Sequence, residues 1–331
     1  MALIGRLQCG VKSLFRVMLL ACGLALASGA RSAEAPAAPS ADSASRGLIA
    51  LGEYLFRSPL LSADATVSCR TCHVPGLGFS GDRSLAVGVA GYVSGRRAPA
   101  LLGLRNVTPL RWDGRAADLA AQVAMPLESP EMAVDWARAL RRLETDREIA
   151  GLIGAAGMPG LDRAAVVAAL AAYVSSLDAG ASRFDRFYYG RDEAALTSQE
   201  AWGLRMFSRK ARCASCHLLD GRAAPFTDGA FHVTGIGYRN GAFADPGRAG
   251  VTGAPADVGA FKTPGLRGVA LRPYLMHDGS MTSLTQAVEH YNVAANERVP
   301  NLDERLKPLS LTPDEVAAIV AFLGALTPES R

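Results

Sequence analysis

Two stretches of this sequence carry residues whose types and spacing can hold a redox cofactor: "VSCRTCHVPGLGF", with Cys69, Cys72 and His73, and "ARCASCHLLDG", with Cys213, Cys216 and His217. Cys-x-x-Cys followed directly by His is the attachment signature of haem c. Two thioether bonds fix the porphyrin, and the adjacent imidazole ligates the iron. The doubling is specific because the other two cysteines, Cys9 and Cys22, lie in the first thirty-three residues. An exported chain would otherwise turn its remaining cysteines into disulfides. A Cys2His2 zinc site needs its second ligand pair at helical spacing, and no His-x3–5-His occurs here. The expected cofactors are therefore two covalent haems c, with His73 and His217 as proximal iron ligands.

Compartment follows from the amino end. Arg6, Lys12 and Arg16 precede the apolar run "VMLLACGLALAS" and the small residues of "SGARSAEA", and no acidic residue comes before Glu34. That is the pattern of a secretory signal peptide over residues 1–33, too short and wrongly flanked for a stable membrane span. Cleavage after Ala30, Ser32 or Ala35 satisfies the small-residue rule. The expected location is the periplasm. Residues 1–33 hold four basic and no acidic residues, so the formal charge of +4 falls to about zero without them. No basic stripe interleaved with aromatics remains to suggest nucleic acid.

The elements that must position the two motifs repeat along the chain. "VAALAAYVSSL" (167–177) matches "VAAIVAFLGAL" (316–326) in apolar character, and both place apolar residues at helical spacing. Upstream of the motifs, "LGEYLF" and "WGLRMF" also repeat. Thr312, Pro313 and Glu315 predict a capped start for the last helix, and Thr197 with Glu200 predicts another near "YYGRDEAALTSQE". The segments between are punctuated by Gly and Pro, so strands should be short or absent. The expected fold is mainly α: two tandem cytochrome c domains, residues 46–190 and 196–327, each with one haem and many loops.

The runs "RRAPALLGLRNVTPLRWDGRAADLAAQVAMPLESPEM" and "FKTPGLRGVALRPYLMHDGSMTSLTQAVEHYN" give a more specific resemblance. Over residues 46–327 the chain resembles the bacterial di-haem cytochrome c peroxidase and MauG family. The resemblance implies an N-terminal haem that reacts with hydrogen peroxide and a C-terminal haem that transfers electrons. By the same resemblance, Gln122 and Glu131 are distal residues of the reactive haem. One residue is missing between them relative to the usual pattern, which keeps Glu128 in competition with Glu131. Trp112 of "RWDGR" matches the family Trp between the haems, and Tyr291 stands where MauG has Tyr and the peroxidase branch has Met.

An iron with six strong ligands has no place for peroxide, so axial ligation decides reactivity. No histidine separates His73 from His217, and the loop "GVAGYVSGRRAP" lacks the blocking His of peroxidases that need reductive activation. The N-terminal haem is expected to be open, with Met125, Met132 and Met158 as the alternatives that would close it. For the second iron Tyr291 is the expected sixth ligand; Met276, Met281 and His290 are the others within the segment. Moving a proton between the peroxide oxygens is the task expected of Glu131. Lys262, Arg267 and Arg115 are candidate partners of haem propionates, while His232 and His277 are read as hydrogen-bonding scaffold. Calcium sits between the domains in this family. Here Arg97 stands at the usual Asn, and Leu271 or Arg272 at the usual Thr, which leaves calcium doubtful.

The functional expectation is a periplasmic oxidoreductase, MauG-like, that uses hydrogen peroxide at the N-terminal haem to oxidise Trp or Tyr side chains of a partner protein through high-valent haems. One alternative is a cytochrome c peroxidase that reduces peroxide to water with electrons from a small cytochrome or copper protein. Another is a non-catalytic di-haem electron carrier.

Overall fold

Two helix crossings, built the same way, organise the chain. The computed structural model describes residues 41–219, 226–293 and 299–329. In the first half, α1 (Ala41–Arg57) leads through a loop to the short α2 (Cys69–Cys72). After α3 (Leu119–Glu128), α4 (Trp136–Glu144) and α5 (Arg147–Ala155), α6 (Arg163–Ser176) returns to pack across α1. The second half runs through α7 (Arg183–Tyr188) and α8 (Ser198–Ser208) to a single 3-10 turn at Cys213–Ser215. It continues through α9 (Ala249–Thr252), α10 (Leu284–Asn292) and α11 (Pro313–Gly324), and α11 packs across α8.

The strands of this half are short: β1 (Phe231–Val233), β2 (Tyr238–Arg239), β3 (Ala242–Phe243) and β4 (Ala260–Lys262). β1 pairs antiparallel with β4, aligning His232 with Phe261, and β2 with β3. The fold is mainly helical and loop-rich, with little strand, as expected. No helix among the described residues is long and apolar enough to cross a membrane. The expected leader, residues 1–33, lies outside the described residues.

Glycine makes each crossing possible. A Cβ at Gly52 of α1 would overlap the Ala169 carbonyl of α6, and one at Gly203 of α8 would overlap the Ala318 carbonyl of α11. Beside each glycine an aromatic closes the contact: Phe56 lies 5.1 Å from Tyr173, and Phe207 lies 5.1 Å from Phe322. Phe56 and Phe207 each then stand 6.4 Å from the histidine of their own motif, at the same 44° tilt. The repeat "LGEYLF"/"WGLRMF" is therefore the pair of helix faces that meets the motif. Gly203→Ala should destabilise the protein by about 1–3 kcal/mol through overpacking, despite alanine's helix preference of about 1 kcal/mol over glycine. A thermal melt that rises instead would show that the crossing tolerates separation.

Local sequence fixes the helix ends. Thr197 with Glu200, and Thr312 with Glu315, form the expected capping boxes, and Pro313 opens α11. Asp118 caps α3 by accepting from the Ala121 N–H at 2.8 Å. Apolar faces then gather into two main cores. Leu51, Leu55, Leu127, Leu143 and Leu170 fill the first, and Phe207, Phe226, Ile319, Phe322 and Leu326 the second. Helix α7, expected before the boundary at residue 190, packs with the second core instead. Phe184 is fully buried 5.2 Å from Phe226 and 5.8 Å from Phe322, and its N–H donates to the Ala325 carbonyl at 3.2 Å. A buried aromatic outweighs the sequence cue of a polar linker there.

Candidate active site

Each Cys-x-x-Cys-His lines its own cavity. In the first half a cavity of about 380 Å³ is bordered by Cys69, Cys72 and His73. In the second, one of about 290 Å³ is bordered by Cys213, Cys216 and His217. None of the four motif cysteines forms a disulfide, which leaves each pair available for thioether attachment. The histidines are oriented alike. His73 Nδ1 lies 3.1 Å from the Phe79 carbonyl, and His217 Nδ1 lies 2.8 Å from the Phe226 carbonyl. A carbonyl only accepts, so each Nδ1 carries the proton and each Nε2 keeps a lone pair for a metal. Burial lowers His73 to about 4 and also lowers His217, which keeps both rings neutral and ligand-competent.

A smaller cavity of about 70 Å³ adjoins these two and shares lining residues with both. Arg97, Arg111, Lys262, Arg267 and Arg272 line it, and among the described residues no carboxylate does. Burial lowers Arg97 to about 10, Lys262 to about 8 and Arg272 to about 9. Buried Arg272 Nε has no hydrogen-bond partner. Uncompensated buried cations are costly. The two carboxylates of a haem are the anions that would relieve the cost, so the donor set and the cation cluster both fit haem.

Of the expected propionate partners, Lys262 stands in this cluster. Arg267 is instead paired with Asp185 at 2.7 and 2.8 Å, and Arg115 with Asp113 at 2.7 Å. Arg97 and Arg272 line the same cavity as Lys262. Arg97, at the position that bears on calcium, is 3% exposed and lines the cavity, donating from Nε to the Met276 carbonyl at 3.1 Å and from its backbone N–H to the His277 carbonyl at 2.8 Å.

Gln122 and Glu131 both line the His73 cavity. Helix α3 carries Gln122, which is 7% exposed with its Oε1 buried and unpartnered. Glu131 sits in the turn after α3, where its N–H donates to Ser129 Oγ at 3.2 Å. Its carbonyl accepts from the Val89 N–H at 3.0 Å, and a side chain at Gly88 would overlap its backbone. Glu128 does not line the cavity; it pairs with Arg163 on the surface. Of the methionines that would close the first iron, Met132 borders this cavity, whereas Met125 and Met158 do not.

Trp112 borders all three cavities. Its Nε1–H donates to the Arg97 carbonyl at 2.8 Å, and the Arg97 guanidinium lies 5.4 Å from its ring centroid. Its own carbonyl accepts from the Lys262 N–H at 2.8 Å. The last of these bonds ties the "RWDGR" turn to β4 of the second half.

Tyr291 and Met276 line the second cavity; Met281 and His290 do not. His290 Nε2 lies 2.9 Å from the Thr234 carbonyl, which occupies that nitrogen. Burial, and then the two neighbouring thiols, push the Tyr291 phenol up to about 12. His232 is held between Asp303 at 2.7 Å and Asp228 at 3.0 Å. His277 stacks on Phe261 at 3.5 Å between ring centroids. Sequence reading did not gather Arg97, Arg111 and Arg272 into one cluster. Its signal was arginine recurring in "RRAP", "RWDGR" and "LRPY".

A mainly helical fold with two similar halves, each presenting a Cys-x-x-Cys-His to a cavity, defines a tandem cytochrome-like protein. Residues 46–193 match the family described as di-haem cytochrome c peroxidase. The methylamine utilization protein MauG of Methylorubrum extorquens is 36% identical over 288 residues, 85% of this chain and 78% of that one. Cytochrome-c peroxidase IdrP2 of Denitromonas iodatirespirans is 31% identical over 353 residues, 96% and 93% of the two chains. Among solved structures, a MauG-like protein associated with microbial copper homeostasis aligns with a TM-score of 0.78 at 28% identity, over 86% of this chain and 90% of that one. The chain belongs to the di-haem cytochrome c peroxidase family, and its cofactors are haems. It is a peroxide-related oxidoreductase, which sets aside the non-catalytic carrier.

Proposed function

We propose that this protein is a MauG-like enzyme that uses hydrogen peroxide at the haem of His73 to oxidise Trp or Tyr side chains of a partner protein. Two haems c are attached through Cys69 and Cys72, and through Cys213 and Cys216. The leader-like amino end and this mode of attachment together support a periplasmic location. When bound, the haem of His73 supplies an iron that accepts peroxide and carries the oxidising equivalents released by O–O cleavage.

The residues around it have separable tasks. His73 and His217 ligate through Nε2, held in that tautomer by the carbonyls of Phe79 and Phe226. Glu131 takes the proton from the near peroxide oxygen and delivers it to the far one, which leaves as water. Gln122 orients the peroxide from the same wall. Arg97, Lys262 and Arg272 would receive propionates. Trp112, which lines both motif cavities and the small one beside them, is the bridge for electrons. Tyr291 would ligate the second iron, and its phenolate would favour the oxidised state.

The observation that carries the reading is the composition of the two cavity walls. Gln122 and Glu131 line the His73 cavity with no second histidine, and Tyr291 lines the other. The second reading, a peroxidase that reduces peroxide to water with electrons from a small donor protein, is favoured by Met276, which also lines the second cavity.

Electron paramagnetic resonance of the ferric holoprotein tests the proposal. One high-spin and one low-spin centre are expected, and peroxide should react without prior reduction. Two low-spin centres would mean that Met132 or another side chain closes the first iron, and the proposal would fail. A requirement for half-reduction would instead select the conventional peroxidase.

A further inference from the structure

The His73 cavity contains a cation to which the reaction above assigns no task. Arg111, next to Trp112, lies in the left-handed region at φ +67°. That conformation costs a non-glycine residue on the order of 1–2 kcal/mol. The turn imposing it is closed by the Leu110 N–H, which donates to the Ala116 carbonyl at 2.7 Å. Arg111 lines the cavity with Gln122 and Glu131. The carboxylate of Glu131 lies 3.7 Å from its Nη2, beyond a direct hydrogen bond. Its Nε is buried without a hydrogen-bond partner, as is Gln122 Oε1 on the same wall. A partly buried guanidinium is thus left half-compensated in a cavity that also holds an acid and an amide.

We propose that Arg111 is a third reacting residue of the His73 site, and that with Glu131 and Gln122 it binds small weak-acid anions, hydroperoxide among them. The proposal rests on the reading of that haem as the peroxide site. Peroxide binds as its anion by giving the proton of its near oxygen to Glu131, and the guanidinium balances the charge that appears. The O–O bond then breaks with its electron pair on the far oxygen. Arg111 would stabilise that oxygen until Glu131 returns the proton and water leaves; the bound haem would supply the two electrons. A propionate is the other anion Arg111 could meet. The carboxylate of Glu131 at 3.7 Å disfavours a permanent anion there. It suits one that arrives with a transferable proton.

Fluoride titration of the ferric holoprotein, followed by visible absorption, separates these roles without any turnover. Fluoride is a small weak-acid anion that accepts hydrogen bonds. Its dissociation constant should rise ~10- to 100-fold in Arg111→Leu and Arg111→Gln, as expected for loss of a charged donor, with Arg111→Lys in between. Haem content is measured alongside; if the Leu variant loads poorly, the Lys and Gln variants are compared. Equal fluoride affinity in wild type, Lys and Gln proteins would overturn the proposal. If the midpoint potential of the His73 haem shifts while fluoride affinity does not, Arg111 is a propionate anchor, and the proposal is likewise overturned. A wild-type protein that binds no fluoride and shows two low-spin centres fails earlier, at the open iron itself.

Discussion

Glu131→Gln is expected to slow the reaction of the ferric protein with hydrogen peroxide by about 10²–10⁴-fold, the range of a general acid–base group. The amide keeps the size of the carboxylate and can still hydrogen-bond, but it cannot accept the proton from the near oxygen. Haem content and melting temperature should be unchanged, because the turn is fixed by backbone contacts. The Glu131 N–H donates to Ser129 Oγ and its carbonyl accepts from Val89, neither through the carboxylate. Glu128→Gln is the control. That side chain pairs with Arg163 at the surface, and exposed pairs contribute about 0–1 kcal/mol, so its peroxide rate should match wild type in stopped-flow measurements. If Glu128→Gln were slow and Glu131→Gln normal, the proton role assigned to Glu131 would fail.

Tyr291→Met should raise the midpoint potential of the haem at His217 and change its low-spin resonance, leaving the high-spin centre untouched. Burial holds the phenol near 12, so it ionises at neutral pH only against a strong cation, which a ferric iron is. Once formed, the anion stabilises ferric over ferrous iron more than a neutral thioether does. Axial ligands command a span of ~0.8 V in haem proteins, and the exchange should use a substantial part of it. Spectroelectrochemistry gives the potential directly. A variant with unchanged potential and unchanged resonance would assign the ligand elsewhere. Met276 stands first among the others, since it lines the same cavity.

The residues that were legible in the sequence are those whose chemistry is local. Cys-x-x-Cys-His spans five residues, so Cys69 to His73 and Cys213 to His217 announce their cofactor without help from the fold. Thr197, Glu200, Thr312 and Glu315 announce helix starts for the same reason, because a cap is settled within one turn. The repeat of "LGEYLF" and "WGLRMF" was visible as a pattern. Its purpose, a glycine at a helix crossing and a phenylalanine beside the motif histidine, was not.

What tertiary structure decided is everything that depends on segments meeting through space. Glu131 and Glu128 are three residues apart and chemically alike in sequence. They differ because Gly88 and Val89 clasp one against the cavity while α6 offers Arg163 to the other. Polar linker residues suggested a boundary after α7, yet Phe184 binds that helix to the second core. Arginines scattered from position 97 to 272 become one cation cluster because the turn at Trp112, β4 and the segment after it converge on a single small cavity. Sequence spacing sets what a bond or a helical turn can reach, and so fixed the cofactor chemistry. The distances that select a proton carrier, an axial ligand or a buried charge partner are set by packing alone.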